Sequence, residues 1–307
     1  MIVVFGSLNV DLLIPVERLP NHGETVIGPG YSFAAGGKGA NQALAAARAG
    51  AQVRMVGRVG TDDLSAIALN DLNLQDVDLS LVAKDERPTG LAAICVEEKR
   101  GENIIVVAAG ANSNARADQV PDHLLTPETM VLLQMEVPLE ENSALVRRAK
   151  ARGARVMLNV APAAPVPTDI VRMLDWLIVN ESEAMIVAES LGRHRENPRD
   201  AASAVAEAAQ TTVIVTLGGE GASGFAGDKI YDVNALLITP VDTVGAGDAF
   251  VGAFAAALDS GGDLPRGLAY GSVAGALACL TPGAQPSLPM KTAIDKRLKD
   301  LPPIKVH

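Results

Sequence analysis

The chain is short of aromatic residues and of cysteine, and each shortage excludes a kind of structure. Aromatics make up only 3% of its 307 residues. The core must therefore be built from Ala, Val, Leu and Ile, which suits helices packed closely on a parallel sheet. The only two cysteines, Cys95 and Cys279, lie in apolar runs without a nearby Cys or His. They predict buried thiols in a reducing compartment, and neither a disulfide nor a metal site.

Long uncharged apolar runs and clusters of positive charge are also missing. No such run reaches the length of a membrane span, and the first residues lack the basic segment of a signal peptide. The formal net charge is −10, and Lys and Arg are scattered along the chain. A basic face for nucleic acid is therefore not expected. We expect a cytoplasmic protein that binds neither nucleic acid nor membrane.

Segments of strand length alternate with helical segments along most of the chain. Strands are predicted at 2–5, 52–57, 129–136, 155–162, 175–180 and 211–216. Helices are predicted at 62–72, 137–153, 181–191, 199–210 and 264–280. A further helix follows the glycine turn within 34–50, and another begins at 246–248 and carries the apolar run AFVGAFAAAL. This alternation predicts an α/β fold with a mainly parallel sheet.

Two stretches interrupt the alternation. Residues 10–34 read as twisted strands outside the main core, and 90–107 as a hairpin with the charged turn EEKRGE at 97–102. We interpret both as one small β-sheet lid, inserted from about 10–35 and 88–108. The chain 1–307 is then a single domain in which this lid covers a cleft.

The stretch TVGAGDAF at 243–250 belongs to one of several polar or glycine turns that follow predicted strands. Ligands of open parallel sheets bind where such turns meet, beyond the carboxyl ends of the strands. A helix that begins after Gly245 presents free N–H groups, which together with its dipole form an anion site. Asp248 beside that site suits a general base. The alternative is an ordinary Asp N-cap after a glycine turn.

A second turn, GGKGANQ at 36–42, fits neither the phosphate-binding P-loop nor the dinucleotide fingerprint. Its glycines allow close backbone approach to a polyol, with Lys38 and Asn41 as donors, although a simple turn and helix cap would have the same composition. Asn9 and Asp11 after the first strand add hydrogen-bonding groups for a hydroxyl-rich ligand. Glu136 is either another sugar contact or a solvated strand end.

These segments together resemble the ribokinase-like (PfkB) family of carbohydrate kinases. The early GGKGANQA and the late DTVGAGDAF match the two signature regions of the family. Further segments match in order over about residues 1–290, and they are SLNVD, LPNHGETV, AAGANS, LLQMEVPLE, VNESEA, TLGGEG and GAQPS. The resemblance implies a three-layer α-β-α fold with a small β-sheet lid.

The resemblance also implies a reaction. ATP would transfer its γ-phosphoryl group to the 5-hydroxyl of D-ribose and give ribose 5-phosphate. Asp248 would be the catalytic base, and Gly245, Ala246 and Gly247 would form the anion hole. The positions that match sugar contacts are Asn9, Asp11, Gly37, Lys38, Asn41, Glu136 and Asp248.

ATP, Mg²⁺ and K⁺ are the cofactors that the resemblance implies. Asn180 and Glu183 match positions near the nucleotide phosphates and Mg²⁺. The nucleotide-binding positions are Thr216, Leu217, Gly218, Gly219, Glu220 and Gly221, with Gly247 and Ser272. The monovalent cation site maps to Asp242, Val244, Ala278, Thr281, Gly283 and Ser287.

Relatives in this family pair their lids edge to edge, so the resemblance implies a homodimer through the lid. Three other functions remain as alternatives. The protein could phosphorylate a related pentose, hexose or nucleoside, or it could bind sugar or nucleotide without catalysis. A nicotinamide oxidoreductase ranks last, because GSLNVD after the first strand lacks the dinucleotide fingerprint.

Overall fold

In the computed structural model of the protein, which describes residues 1–97 and 102–307, the strands form two separate sheets. The strands are β1 Ile2–Phe5, β2 Asn9–Val16, β3 Ser32–Gly36, β4 Val53–Gly60, β5 Asp78–Asp85, β6 Gly90–Glu97, β7 Asn103–Ala108, β8 Met130–Leu133, β9 Arg155–Asn159, β10 Trp176–Asn180, β11 Thr212–Thr216, β12 Ala222–Ala226, β13 Lys229–Val233 and β14 Lys305–Val306. The helices are α1 Lys38–Arg48, α2 Leu64–Leu74, α3 Leu139–Ala151, α4 Thr168–Val171, α5 Glu181–Ser190, α6 Pro198–Ala209, α7 Ala246–Asp259, α8 Leu264–Ala278, α9 Ala284–Ser287 and α10 Lys291–Arg297.

The larger sheet has the order β14-β13-β12-β11-β10-β9-β8-β1-β4-β5. Its strands from β11 to β5 run parallel, and the edge strands β12, β13 and β14 are antiparallel additions. The predicted mainly parallel sheet is confirmed. The antiparallel edge and strand β5 were not predicted, because polar, charged and glycine residues break the apolar pattern in these strands.

Both faces of this sheet are covered by helices, as the three-layer prediction requires. In β1, Ile2 and Val4 pack into one apolar core, and Val3 and Phe5 pack into the other. The first core takes in α1, α2, α7 and α8, whereas the second takes in α3, α5 and α6. A strand buried on both faces reads as a continuous apolar run, which explains why IVVF was recognisable in the sequence.

The smaller sheet has the order β3-β2-β6-β7 and comes from the two stretches that were predicted to form it. Strand β2 pairs with β3 antiparallel and with β6 parallel, and β6 pairs with β7 antiparallel. A small separate sheet is therefore confirmed. Residues 98–101 of the predicted EEKRGE turn lie outside the described residues.

Two local predictions are wrong. The strand predicted at 129–136 ends at Leu133, because the Met135 N–H turns to the carbonyl of Ala161 and the Asn142 side chain takes the carbonyl of Gln134. Cys95 and Cys279 are free thiols as expected, but both are only half-buried.

Candidate active site

Helix α7 begins in a glycine turn at one end of the parallel sheet. Gly245 is its N-cap and has φ +80°, a left-handed conformation that favours glycine. The Ala246 N–H donates to the carbonyl of Thr243 at 3.2 Å, so this part of the predicted anion hole is already engaged. The N–H groups of Gly245 and Gly247 donate to no backbone acceptor among the described residues. A Cβ on Gly247 would meet nothing within 4 Å, so its backbone faces open space.

Asp248 is the third residue of α7 and is 8% exposed. Its carboxylate oxygens each accept one side-chain amide from helix α1. Asn41 Nδ2 donates to Oδ2 at 2.9 Å, and Gln42 Nε2 donates to Oδ1 at 2.9 Å. The alternative that Asp248 is merely an N-cap is wrong, because the cap is Gly245 and no side chain caps the helix.

Helices α1 and α7 approach closely enough for these contacts because small residues line their interface. A Cβ on Gly252 would lie 2.5 Å from the Cβ of Ala45 and 2.7 Å from the carbonyl oxygen of Gln42. The backbones of the two helices are therefore in near-direct contact. The alanine-rich sequence of α1 thus brings Asn41 and Gln42 to the first turn of α7.

Gln42 was missed in the sequence, although it contacts the predicted base. It is fully buried and extends the polar cluster inward to Asn159 and Gln134. One signal pointed to it. A polar pair at 41–42 interrupts a helix of Gly, Ala and Leu that has little exposed surface, and buried amides need hydrogen-bond partners.

The sugar-contact residues predicted on strand β2 and after β3 are also brought together. Asn9 is 3% exposed and accepts from Asn112 Nδ2 at 2.7 Å. A Cβ on Gly36 would lie within 2.5 Å of the Asp11 carboxylate, and one on Gly37 would lie 2.8 Å from the backbone nitrogen of Asn9. Glycine is therefore required at Gly37, where φ is also +90°, whereas a side chain at Gly36 would displace the Asp11 carboxylate.

The Glu136 side chain is not a solvated strand end, because its carboxylate already accepts two hydrogen bonds from the protein. Its Oε2 accepts from Ser7 Oγ at 2.5 Å and from the backbone N–H of Lys38 at 3.0 Å. The carboxylate thereby fixes the start of helix α1. Asn9, Asn112 and Glu136 share a cavity of about 350 Å³, which is the size of a small-molecule site.

The carboxylates of Asp11, Glu136 and Asp248 and the amine of Lys38 interact electrostatically. Burial, with the added effect of the carboxylates of Glu136 and Asp248, raises the pKa of Asp11 to about 6, against the opposing charge of Lys38. The charge of Asp248 raises the pKa of Lys38, which keeps that amine protonated. One cation therefore stands among several carboxylates, an arrangement typical of a functional site.

A second cavity, of about 330 Å³, lies on the other side of the α7 turn. It is mainly apolar and bounded by the 216–221 loop, the 235–240 segment and helices α7 and α8. Its lining residues include these predicted nucleotide positions: Thr216, Gly218, Gly219, Gly221, Gly247 and Ser272. Gly247 lies at the edge of this cavity and is followed by Asp248, which interacts with Asp11 and Lys38.

Two of the predicted nucleotide residues do not line this cavity. Leu217 is 7% exposed and packs into the core on the α5 and α6 side of the sheet. Glu220 is exposed at the tip of the loop. The buried side chain of Leu217, between Thr216 and Gly218, anchors the start of the loop to the core and points away from this cavity.

Asn180 and Glu183 form a capping box at the start of helix α5. Asn180 Oδ1 accepts the Glu183 N–H at 2.9 Å, and Glu183 Oε2 accepts the Asn180 N–H at 2.7 Å. Glu183 nevertheless belongs to the site electrostatically. Burial raises its pKa and Asp248 raises it further, whereas the Asn180 N–H and Lys38 lower it.

The residues predicted for a monovalent cation are partly assembled. Asp242 Oδ1 accepts the Val244 N–H at 3.0 Å, and its Oδ2 accepts the Gly283 N–H at 2.8 Å. The carbonyl of Ala278 accepts the Thr281 N–H at 3.4 Å, and Ser287 Oγ donates to the carbonyl of Ala284 at 2.7 Å. Carboxylate, hydroxyl and carbonyl oxygens are the donor set that a hard cation takes.

Across residues 1–97 and 102–307, no group of three or more His, Cys, Asp or Glu side chains could hold a metal ion by itself. The same residues contain no helix that is both long and apolar enough to cross a membrane.

The chain is similar to known proteins over nearly its whole length. The family model described as pfkB family carbohydrate kinase matches residues 1–291. A ribokinase of Bacillus subtilis is 34% identical over 97% of this chain and 99% of the relative. The crystal structure of a ribokinase from Thermotoga maritima matches with a TM-score of 0.90 and 30% identity, covering 97% of this chain and 99% of that one. The structure of Arabidopsis thaliana ribokinase complexed with ribose and ATP matches with a TM-score of 0.87 and 32% identity, covering 97% and 98%.

This chain belongs to the pfkB family of carbohydrate kinases. It is an enzyme that transfers a phosphoryl group from ATP to a carbohydrate. Gly247 lines the second cavity, and the next residue, Asp248, contacts the amides of Asn41 and Gln42 on helix α1.

Proposed function

We propose that the protein phosphorylates D-ribose at its 5-hydroxyl with ATP. The position of Asp248 carries the proposal. This buried carboxylate lies at the start of α7, with the nucleotide-sized cavity beside Gly247 and the polar cluster of Asn41 and Lys38 on its other side. Two relatives named ribokinase, at 34% and 32% identity over nearly the full chain, support ribose as the sugar.

The reaction follows from the placement of the groups. Asn9, Asp11, Gly37, Lys38, Asn41 and Glu136 hold the sugar hydroxyls, and Asp248 accepts the proton of the 5-hydroxyl. The sugar oxygen forms a bond to the γ-phosphorus while the bond from that phosphorus to the β-phosphate oxygen breaks, and ADP leaves with the electron pair. The N–H groups of Gly245 and Gly247, at the positive end of the helix, stabilise the charge on the transferred group.

ATP binds in the cavity of the 216–221 loop, with its base against the apolar wall near Ser272. Two metals fit the oxygen donors of this chain. Mg²⁺ fits on the Glu183 side and neutralises phosphate charge when bound. K⁺ fits among Asp242, Val244, Ala278, Thr281, Gly283 and Ser287, behind the anion hole, through carboxylate, hydroxyl and carbonyl oxygens.

The sugar specificity is testable with a panel. ADP formation is measured with ATP, Mg²⁺ and D-ribose, 2-deoxy-D-ribose, D-fructose or adenosine, in K⁺ and in Na⁺ buffer. We expect ribose to give the highest kcat/KM, faster in K⁺, and 5-deoxy-D-ribose to bind without turnover. Comparable rates on fructose or adenosine with none on ribose would overturn the ribose assignment. Binding of sugar and ATP without any turnover would favour a non-catalytic binding protein.

The lid sheet also supports a homodimer. Strand β7 is an edge strand whose residues 103–108 are all exposed and carry no charge, and Ile104 to Val107 are 43–64% exposed. Edge strands of monomers are normally guarded by charge or proline. We expect a dimer by light scattering, and a monomer for Ile105→Lys. A parent that is monomeric at micromolar concentration would contradict the lid dimer.

The fold comprises one domain, 1–307, with the small sheet as a lid that closes over the sugar and keeps water from the phosphoryl group. The free thiols of Cys95 and Cys279 support a reducing compartment, and we assign the protein to the cytoplasm.

A further inference from the structure

The predicted base stands at the end of a line of buried amide side chains. Gln42 Nε2 donates to Asp248 Oδ1 at 2.9 Å and to Asn159 Oδ1 at 2.9 Å. Gln42 Oε1 accepts from Gln134 Nε2 at 2.8 Å. Gln42 and Gln134 are fully buried and Asn159 is 7% exposed, so a lost partner is not readily replaced by water. Both N–H groups and the oxygen of the Gln42 amide are thus committed to protein.

The direction of this line is set at its far end. Asn159 Nδ2 donates to the backbone carbonyl of Ile178 at 3.1 Å. A carbonyl can only accept, so Asn159 has to direct its nitrogen to Ile178 and its oxygen to Gln42. That oxygen needs a donor, which obliges Gln42 to present Nε2 and leaves the second N–H of the same nitrogen for Asp248.

Gln134 does not impose this direction. Its own Oε1 has no hydrogen-bond partner among the described residues, so its amide could turn over and serve Gln42 in either sense. Asn159 and Gln134 therefore each make one hydrogen bond with the Gln42 amide, but only Asn159 determines which way the Gln42 amide points. The two residues form a matched pair of buried amides with different expected roles.

We propose that Gln42 is a positioning residue for phosphoryl transfer, oriented by Asn159, and that it fixes the Asp248 carboxylate for proton abstraction. This inference rests on the proposed function, in which Asp248 is the base. With Asn41 on Oδ2 and Gln42 on Oδ1, the carboxylate is held at both oxygens and cannot rotate freely.

The chemistry of the amide suits this role. An amide donates a hydrogen bond without titrating in the working range of pH, so it orients the carboxylate and never competes for the proton that the carboxylate must take. A lysine or arginine at the same place would add a charge next to the base. Misplacement of a catalytic group by about 1 Å costs on the order of 10²-fold in rate, which sets the size of the effect to expect.

The experiment compares three variants, Gln42→Met, Asn159→Leu and Gln134→Met, each of which replaces a buried amide by an apolar side chain of similar size. Turnover is measured with the sugar that the parent uses best, KM is determined for both substrates, and Tm is recorded for each protein. We expect Gln42→Met to lower kcat by about 10²-fold and to change either KM by less than about threefold.

Asn159→Leu and Gln134→Met separate the orientation of the Gln42 amide from the loss of a packed side chain. Their comparison tests the proposal even if Gln42→Met does not fold. We expect Asn159→Leu to lower kcat by about tenfold while Gln134→Met stays within about threefold, with similar losses of Tm for the two. The inference is overturned if Gln42→Met keeps a kcat within about threefold of the parent, or if Gln134→Met loses as much kcat as Asn159→Leu. A parent without turnover on any sugar would instead overturn the proposed function itself, and the role of Gln42 with it.

Discussion

The carboxylate of Asp242 accepts the backbone N–H of Gly283 at 2.8 Å and so ties the turn before helix α7 to the loop before α9, 41 residues further along the chain. Its other oxygen accepts the Val244 N–H at 3.0 Å, which closes the turn that leads to Gly245. One carboxylate thus holds two loops next to the N-terminus of α7.

Removal of this tether is expected to reduce turnover more than stability. In Asp242→Ala both loops lose their shared acceptor, and the N–H groups at 245–247 lose their fixed arrangement. We expect kcat to fall by at least about tenfold, while the free energy of unfolding falls by only about 1–2 kcal/mol, because Asp242 is only half-buried and two hydrogen bonds are lost. Steady-state kinetics and urea unfolding measure the two effects. A kcat within about twofold of the parent would show that the tether does not support the anion hole.

Loss of the base is expected to spare binding. Asp248→Asn keeps the size of the side chain but removes the proton acceptor, so kcat should fall by about 10³-fold or more. Calorimetry should still detect sugar and ATP, because neither cavity loses its walls. Near-normal turnover of Asp248→Asn would refute the assignment of the base. The parallel variant Asp248→Ala tests whether the new amide, which faces the donors of Asn41 and Gln42, adds a separate loss.

The pKa of Asp11 makes a prediction about pH. Its value in the folded protein, about 6, lies above its ordinary value of 3.8, so between these values the folded state holds a proton that the unfolded state has released. This group therefore stabilises the fold below about pH 4, and the stabilisation is lost as the pH rises to about 6 and beyond.

We expect Asp11→Asn to raise the Tm of the sugar-free protein at pH 7 by a few degrees and to have little effect at pH 4. Thermal unfolding of parent and variant across pH 4–8 measures the difference. An equal shift of Tm at both ends of this range would contradict a titrating Asp11. The same variant should weaken sugar binding, since the carboxylate is a predicted hydroxyl partner.

The contact between α1 and α7 predicts a large effect for one methyl group. In Gly252→Ala the new Cβ would meet Ala45 and the backbone of residues 42 and 46 at 2.5–2.7 Å, so the helices must separate. We expect a loss of about 1–3 kcal/mol in the free energy of unfolding and a fall in kcat. Gly30→Ala is the control, because a Cβ there meets nothing within 4 Å. Equal stability of the two variants would contradict direct contact between the helices.

The sequence was sufficient to predict the parallel strands β1, β4, β8, β9, β10 and β11 and some of the residues that line the two cavities, because strands buried on both faces and glycine turns have strong local patterns. It left open whether Asp248 is a base or an N-cap. That choice depends on whether the helix begins at residue 246 or at residue 249, after an Asp248 cap, and on which helix packs opposite, and neither is encoded locally.

Local sequence pattern cannot predict the roles of Gln42, Asn112 and Asn159. Each is a single amide whose partners are distant in the chain, for example Asn112 with Leu8 and Asn9, more than 100 residues away. A sequence signals that such an amide is buried, but only the tertiary arrangement says what it holds. The same reason explains why the capping box of Asn180 and Glu183 was not separated from a phosphate contact.

Helices α1 and α7 touch almost backbone to backbone at Gly252 and Ala45. The same two helices carry Asp248 and the amides of Asn41 and Gln42 that hold its carboxylate. Robustness to mutation should therefore be uneven across this enzyme. A genetic screen for inactive alleles would recover small-to-large changes at Ala45, Ala46 and Gly252 alongside changes at Asp248, and engineering that seeks thermal tolerance would do better on the opposite side of the sheet.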